Sequence, residues 1–157
     1  MDARMDLFGN PVAGKSLKHL IAAGKALADS TLPASTRELV TLRASQINGC
    51  AVCVDMHTKE ALHAGESPTR LNLVAAWREA TVFTGAERAA LELTEQGTRI
   101  ADAAGGVTDE VWAEAAGHYS EDELAALVSF IALINAINRF NLITRQPAGD
   151  YQPGRHG

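Results

Sequence analysis

Cysteine is scarce in this 157-residue chain, with two copies, and aromatic residues make up only 5% of it. So few thiols exclude a disulfide scaffold of the kind that small secreted domains use in place of a core. Basic runs are missing too: 14 Lys and Arg stand against 19 Asp and Glu, for a net charge of -5, and basic and aromatic residues do not interleave. A phosphate backbone would find no footprint here, so no nucleic-acid partner is expected. The longest apolar run, Leu124 to Ile137, is interrupted by Ser129 and Asn135 and falls short of the roughly 20 residues that cross a bilayer, which predicts a buried helix and no membrane partner. The opening Met1-Asp2-Ala3-Arg4-Met5-Asp6 carries acids and leads into no apolar stretch of the signal-peptide kind, so the expected location is the cytoplasm.

Sustained apolar–polar alternation flanked by hairpin dipeptides is also absent, while Ala, Leu and Glu are frequent. The fold class is therefore all-α. A first helix is predicted over Lys15 to Ala28, where Leu17, Leu20, Ile21, Gly24 and Leu27 recur at helical spacing. Pro33 suits the first turn of a second helix running to the break at Asn48-Gly49, and a third is predicted from Cys50 to His63. Ser67-Pro68 opens a short fourth helix toward Trp77, Thr84 to Glu87 has capping-box spacing for a fifth reaching Ala101, and Thr108 caps a sixth ending near His118. A second box, Ser120 to Glu123, starts a last helix whose opposite faces are both apolar, with Leu124, Leu127 and Ile131 on one and Phe130, Leu133 and Ile137 on another. One small domain covers such a helix poorly, so part of it is expected to be buried against another subunit. Residues 1–145 are taken as one domain, and residues 146–157, with two Pro and three Gly, as an extended or flexible tail.

The two cysteines fall together, as Cys50-Ala51-Val52-Cys53. A bridge between them closes almost no loop and would stabilise little, which suits a bond made and broken during a reaction. Asn48-Gly49 ends one helix just before them, so at least Cys50 lies near the unpaired N–H groups of a helix start, where a thiolate is favoured. His57 follows Cys53 by four residues and so shares a helical face with it, with Cys50 a turn earlier. Nucleophile, base and resolving thiol would then stand on one stripe. The same residues also fit blander roles. The cysteines can be inert small apolar residues. Cys50, Cys53 and His57 with Glu38 offer four metal ligands, yet three ligands on one continuous helix wrap poorly around a tetrahedral centre, so neither metal nor cofactor is expected. Glu38 itself fits a capping box with Ser35; only if the helix begins at Pro33 does it project toward the cysteine helix.

The spacing Glu38, eleven residues, Cys50-x-x-Cys53, three residues, His57 resembles the signature of AhpD-like alkylhydroperoxidases of the carboxymuconolactone decarboxylase-like superfamily. Arg37-Glu38-Leu39-Val40, Trp77-Arg78-Glu79-Ala80, Glu87 to Leu91 and Ile134 to Phe140 extend the resemblance over about residues 32–145. It implies a helical bundle of about six to seven helices that assembles as a trimer or hexamer, acting as an antioxidant peroxidase on alkyl hydroperoxides with a lipoyl-type or thioredoxin-like dithiol as reductant. By the same resemblance Cys53 is the peroxidatic thiol, Cys50 the resolving one, His57 the base acting on Cys53, and Glu38 the carboxylate completing a proton relay. One departure stands out: AhpD has a second histidine immediately before the peroxidatic cysteine, where this chain has Val52. Alternative functions are a redox-sensing or metal-binding module using the same thiols, or a decarboxylase, whose reaction does not call for a redox dithiol.

Overall fold

The structure is a computed structural model in which residues 2–154 are described. Those residues form seven α-helices and no strand. The helices are α1 (Pro11–Ala28), α2 (Ala34–Asn48), α3 (Ala51–His63), α4 (Pro68–Leu73), α5 (Gly85–Thr98), α6 (Asp109–His118) and α7 (Glu121–Thr144), with a 3₁₀ turn at Val74–Ala76 after α4.

Short polar residues set most of the starts. Thr84 and Ser120 each accept from the backbone N–H three residues on while Glu87 and Glu123 reach back, so both predicted capping boxes form. Helix α1 begins four residues earlier than the spacing of its apolar stripe predicts. Asn10 accepts from the N–H groups of Val12 and Ala13, and Pro11 occupies the first turn, where its missing N–H costs nothing. Helix α5 stops at Thr98 rather than Ala101. Pro33 is the residue before α2, not within it, so Glu38 lies in the second turn and is not engaged in the capping box with Ser35 that its spacing allows.

Helix α2 is the hub, packing on α3, α5 and α7, while α1 lies along α7 and α6 bridges α5 and α7. Its position is pinned by a buried ion cluster: Glu95 on α5 receives Arg43 of α2 at 2.7 Å, Arg78 at 2.7 Å and the Trp77 indole N–H at 2.8 Å. Burial pushes the Glu95 carboxyl up, but these three partners together hold it below the usual range, so it stays ionised. Leu39, Leu42, Leu71, Trp77 and Leu91 fill the core on one side of α2, and Val40, Leu93, Leu127, Phe130 and Ile131 fill it on the other.

Helix α7 runs for 24 residues and, with a mean hydropathy of 1.6 over its most apolar window, is by length and composition long enough to cross a membrane. It is longer than the run from Leu124 to Ile137 because it continues through Asn138, Arg139 and Asn141. Leu127, Ile131, Ile134 and Asn138 are buried against the bundle, which makes it a core helix, while Val128, Leu142 and Ile143 remain exposed. Trp77 is buried and Trp112 is 46% exposed.

The turn from α2 into α3 places the cysteines. Gly49 takes the left-handed conformation at φ 70°, and the Cys50 N–H bonds back to the Ser45 carbonyl at 2.9 Å. A Cβ at Gly49 would meet nothing within 4 Å, so its cost is backbone strain alone. Gly49→Ala is therefore expected to destabilise the chain by about 1–2 kcal/mol, read as a lower denaturant midpoint at unchanged slope.

Candidate functional site

Cys50 sits one residue before α3, in an extended conformation, and Cys53 occupies the third position of that helix. Their sulfurs lie 3.0 Å apart as free thiols, and both residues are buried, at 1% and 0% exposure. Ala44 of α2 and Ile134 of α7 pack around them, with Val52 and Ile137 closing the rim. The position where AhpD has its second histidine is thus part of an apolar wall.

The two sulfurs share a proton unequally. The neighbouring Cys53 thiol draws Cys50 down to about 6 against burial, which pushes it up, and the Cys53 backbone N–H and the amides of Asn141 and Asn138 assist. Cys53 is pushed up, first by its hydrogen bond to Cys50, then by burial and by the charge on Cys50. The surroundings thus favour ionisation at Cys50, at the helix start, over Cys53.

His57 lies one turn beyond Cys53. Its Nδ1 is 2.9 Å from Glu38 Oε2 and 3.2 Å from Thr41 Oγ1, both on α2. Burial pushes the Glu38 carboxyl up, but the hydrogen bond and charge of His57, with Arg37 alongside, bring it below its ordinary value. Glu38 on Nδ1 holds the imidazole in place and leaves Nε2 as the ring nitrogen turned away from the carboxylate. That Nε2 is buried and has no hydrogen-bond partner. These four residues form two hydrogen-bonded couples, Cys50 with Cys53 at the turn between α2 and α3 and Glu38 with His57 farther along the two helices, and no hydrogen bond joins the His57 Nε2 to either sulfur.

Several polar residues at the site carried no functional expectation. Asn141 Nδ2 is 3.2 Å from Cys53 Sγ. Asn138 donates to Ser45 Oγ at 3.1 Å and accepts from Asn48 Nδ2 at 2.9 Å, while Asn48 also donates to Asn135 Oδ1 at 2.9 Å. Thr41, whose hydroxyl meets the Arg37 and Glu38 carbonyls as well as His57, was missed entirely. The available signal was the row Asn135, Asn138, Asn141, at intervals of three in an otherwise apolar helix.

A cavity of about 340 Å³ opens between α2 and α3, lined by Glu38, Leu39, Glu60, Ala61 and Gly65 among others. Glu38 lines it and neither cysteine does, so solvent reaches the Glu38 carboxylate and not the buried sulfurs. The segment after α7 runs over the outer face of α3. Lys59 Nζ donates to the carbonyls of Gly149 at 2.8 Å and Tyr151 at 3.0 Å, Asp55 accepts from the Gly149 N–H at 3.1 Å, and Glu60 takes the Tyr151 hydroxyl and the Gly154 N–H. Its last residues, 155–157, lie outside the described residues. Among the described residues no three His, Cys, Asp or Glu side chains converge to hold a metal ion.

Residues 15–96 match the carboxymuconolactone decarboxylase family. The chain is 37% identical over 131 residues to the uncharacterized protein YdfG of Bacillus subtilis, covering 83% of this chain and 88% of that one. It is 32% identical over 119 residues to the uncharacterized protein YnjA of Escherichia coli, covering 76% of this chain and 64% of that one. A crystal structure of an Agrobacterium tumefaciens protein of unknown function, a putative antioxidant defence protein AhpD, superposes with a TM-score of 0.87 at 34% identity, covering 96% of this chain and 100% of that one.

Proposed function

Because the chain belongs to the carboxymuconolactone decarboxylase family, as an AhpD-like member, we propose that it is a thiol peroxidase that reduces alkyl hydroperoxides through Cys53 and Cys50. The observation that carries this reading is the pair of sulfurs 3.0 Å apart at the start of α3, one turn from the Glu38–His57 couple. Two buried free thiols in contact at a helix start suit disulfide chemistry.

The unequal sharing fits two roles. The hydrogen bond to the Cys50 sulfur and burial push the Cys53 thiol up, so it needs a base to become a nucleophile; His57, whose Nε2 has no hydrogen-bond partner one turn away, is that base. Cys53 sulfur attacks the distal oxygen of the hydroperoxide, the O–O bond breaks, and His57 passes the Cys53 proton to the departing alkoxide, giving an alcohol and a Cys53 sulfenic acid. The Cys50 thiolate then attacks the sulfenic sulfur, hydroxide leaves and becomes water with a proton that the Glu38–His57 couple draws from solvent, and a disulfide remains. A dithiol partner of the lipoyl or thioredoxin type returns two electrons and two protons. The reducing cytoplasm would keep such a pair reduced.

Consumption of cumene hydroperoxide by the purified protein with dihydrolipoamide as reductant tests the reading. Turnover that depends on the protein supports it. A single slow oxidation without turnover would transfer the thiols to a sensing role, and bound metal in the same sample would transfer them to metal binding.

Assembly into a homo-trimer or homo-hexamer belongs to the same proposal. Phe8 at 75%, Val12 at 79% and Ile143 at 68% exposure, with Val128 of α7, are apolar side chains that another subunit could cover. Light scattering is expected to read three or six times the chain mass, and a monomer would refute the assembly.

A further inference from the structure

Helix α7 presents amides to the dithiol, and the way the surrounding hydrogen bonds are committed settles which end of Asn138 faces it. The Ser45 hydroxyl donates to the Thr41 carbonyl at 2.7 Å, so its oxygen is left to accept. Asn138 Nδ2 supplies that donor at 3.1 Å, and Asn138 Oδ1 is occupied by Asn48 Nδ2 at 2.9 Å. Asn135 cannot compete for the Asn138 oxygen, because its own Nδ2 is spent on the Ile131 carbonyl at 2.9 Å and Thr98 at 3.1 Å. The Asn138 amide is thus fixed with Nδ2 as its donor end, and it acts as a hydrogen-bond donor toward both sulfurs. One turn later Asn141 places its own Nδ2 3.2 Å from Cys53 Sγ.

We propose that Asn141 is a catalytic residue and Asn138 a positioning residue beside it: their amide N–H groups form an anion cradle that holds negative charge on the dithiol as Cys53 gives up its proton. The role rests on the thiol-peroxidase reading, because only a dithiol that ionises in the reaction needs such a cradle. The groups facing the sulfurs leave few other donors. On α3 they are the two thiols themselves, on α7 Asn138, Asn141 and the apolar Ile134 and Ile137, and on α2 Ala44. The nearby titratable pair, His57 and Glu38, is tied to itself through Nδ1. Both amides act in the direction required, lowering Cys50 and Cys53 alike. Backbone N–H groups play this part at many anion sites; here the Cys53 N–H is joined by side-chain amides from α7.

The test is the pH dependence of iodoacetamide alkylation in wild type, Asn141→Leu and Asn141→Asp, with neither peroxide nor reductant present. Asn141 is half-buried and only its amide nitrogen is engaged at the sulfur, so both variants are expected to fold, which a circular-dichroism melt checks. Asn141→Leu is expected to move the alkylation midpoint up by about one pH unit, a roughly tenfold loss of thiolate below it. Asn141→Asp keeps the shape and is expected to move it further, because a carboxylate beside the sulfur opposes its ionisation. Midpoints equal to wild type in both variants would overturn the cradle even if the wild-type protein turns over hydroperoxide. Shifted midpoints in a protein with no turnover would leave the cradle standing and sink the peroxidase reading.

Discussion

Cys53→Ser is expected to abolish hydroperoxide turnover, by about 10⁴-fold or more, whereas Cys50→Ser is expected to consume one equivalent of hydroperoxide and stop. A serine hydroxyl at position 53 keeps the proton that His57 would remove from the thiol, and oxygen does not form the sulfenic intermediate at all. A serine at position 50 leaves the first step in place and removes the sulfur that condenses with it. The stalled form should be trapped by dimedone on Cys53 and read by mass spectrometry as one adduct per chain. Since Cys50 is the sulfur drawn down to about 6, the result that would overturn these roles is specific: a dimedone adduct on Cys50 in the Cys53→Ser protein, with one equivalent consumed. Attack would then belong to the sulfur at the helix start and resolution to Cys53.

The two sulfurs already lie 3.0 Å apart, so forming the bond between them requires little movement of the backbone, and Gly49 and Cys50 hold the turn that makes this possible. What the reaction does require is access. Both cysteines are sealed by Ala44, Val52, Ile134 and Ile137, branched or small apolar residues suited to an alkyl chain, none of which offers a proton. Under the proposed reaction the two paths would be separate, with protons exchanging on the Glu38 side, where the cavity between α2 and α3 opens, and the hydroperoxide entering past the apolar residues.

Much of the fold was legible because its signals are local. The capping boxes at Thr84 and Ser120, Pro68 at the start of α4 and Gly49 between α2 and α3 are each decided within a few residues, and each forms. Cys53 and His57 lie four residues apart within α3, while Cys50 sits just before the helix rather than on its face. Glu38 was ambiguous because two local motifs overlap there, and the choice fell to where α2 begins, which Pro33 decides by staying outside the helix. Asn141 was not legible as a sulfur ligand. It lies 88 positions from Cys53, and on a helix apolar nearly all round no local rule says which face meets α3. The row of asparagines marked the face but not its partner. The hold of Lys59 and Glu60 on the segment after α7 was hidden for the same reason, since a stretch rich in Pro and Gly carries no periodicity to show what it rests on.

Glu38→Gln tests the other couple. Glutamine keeps the size of the side chain and can still accept from His57 Nδ1, but it has no charge to stabilise the imidazolium that forms while the proton is in transit, and its amide can turn to present N–H instead. A loss of about 10²-fold or more in kcat/KM is expected, close to that of His57→Ala. The double variant should lose little beyond either single one, because a residue that acts only through His57 has nothing to do once the imidazole is gone. Additive losses would place Glu38 outside the relay and leave it a structural partner of Arg37, to which it is bonded at 3.3 Å. The pH dependence of folding separates the two roles further. Burial opposes ionisation of Glu38, yet His57 and Arg37 hold its folded carboxyl below the ordinary 4.5. That stability is present above the unfolded value and is lost as the pH falls through the lower folded one. Glu38→Gln should therefore weaken the protein near neutral pH and flatten the part of the acid-unfolding curve below about pH 4.5 that Glu38 contributes, while the alkylation midpoint of the dithiol, set by α7 and the helix start, should move far less than it does in the Asn141 variants.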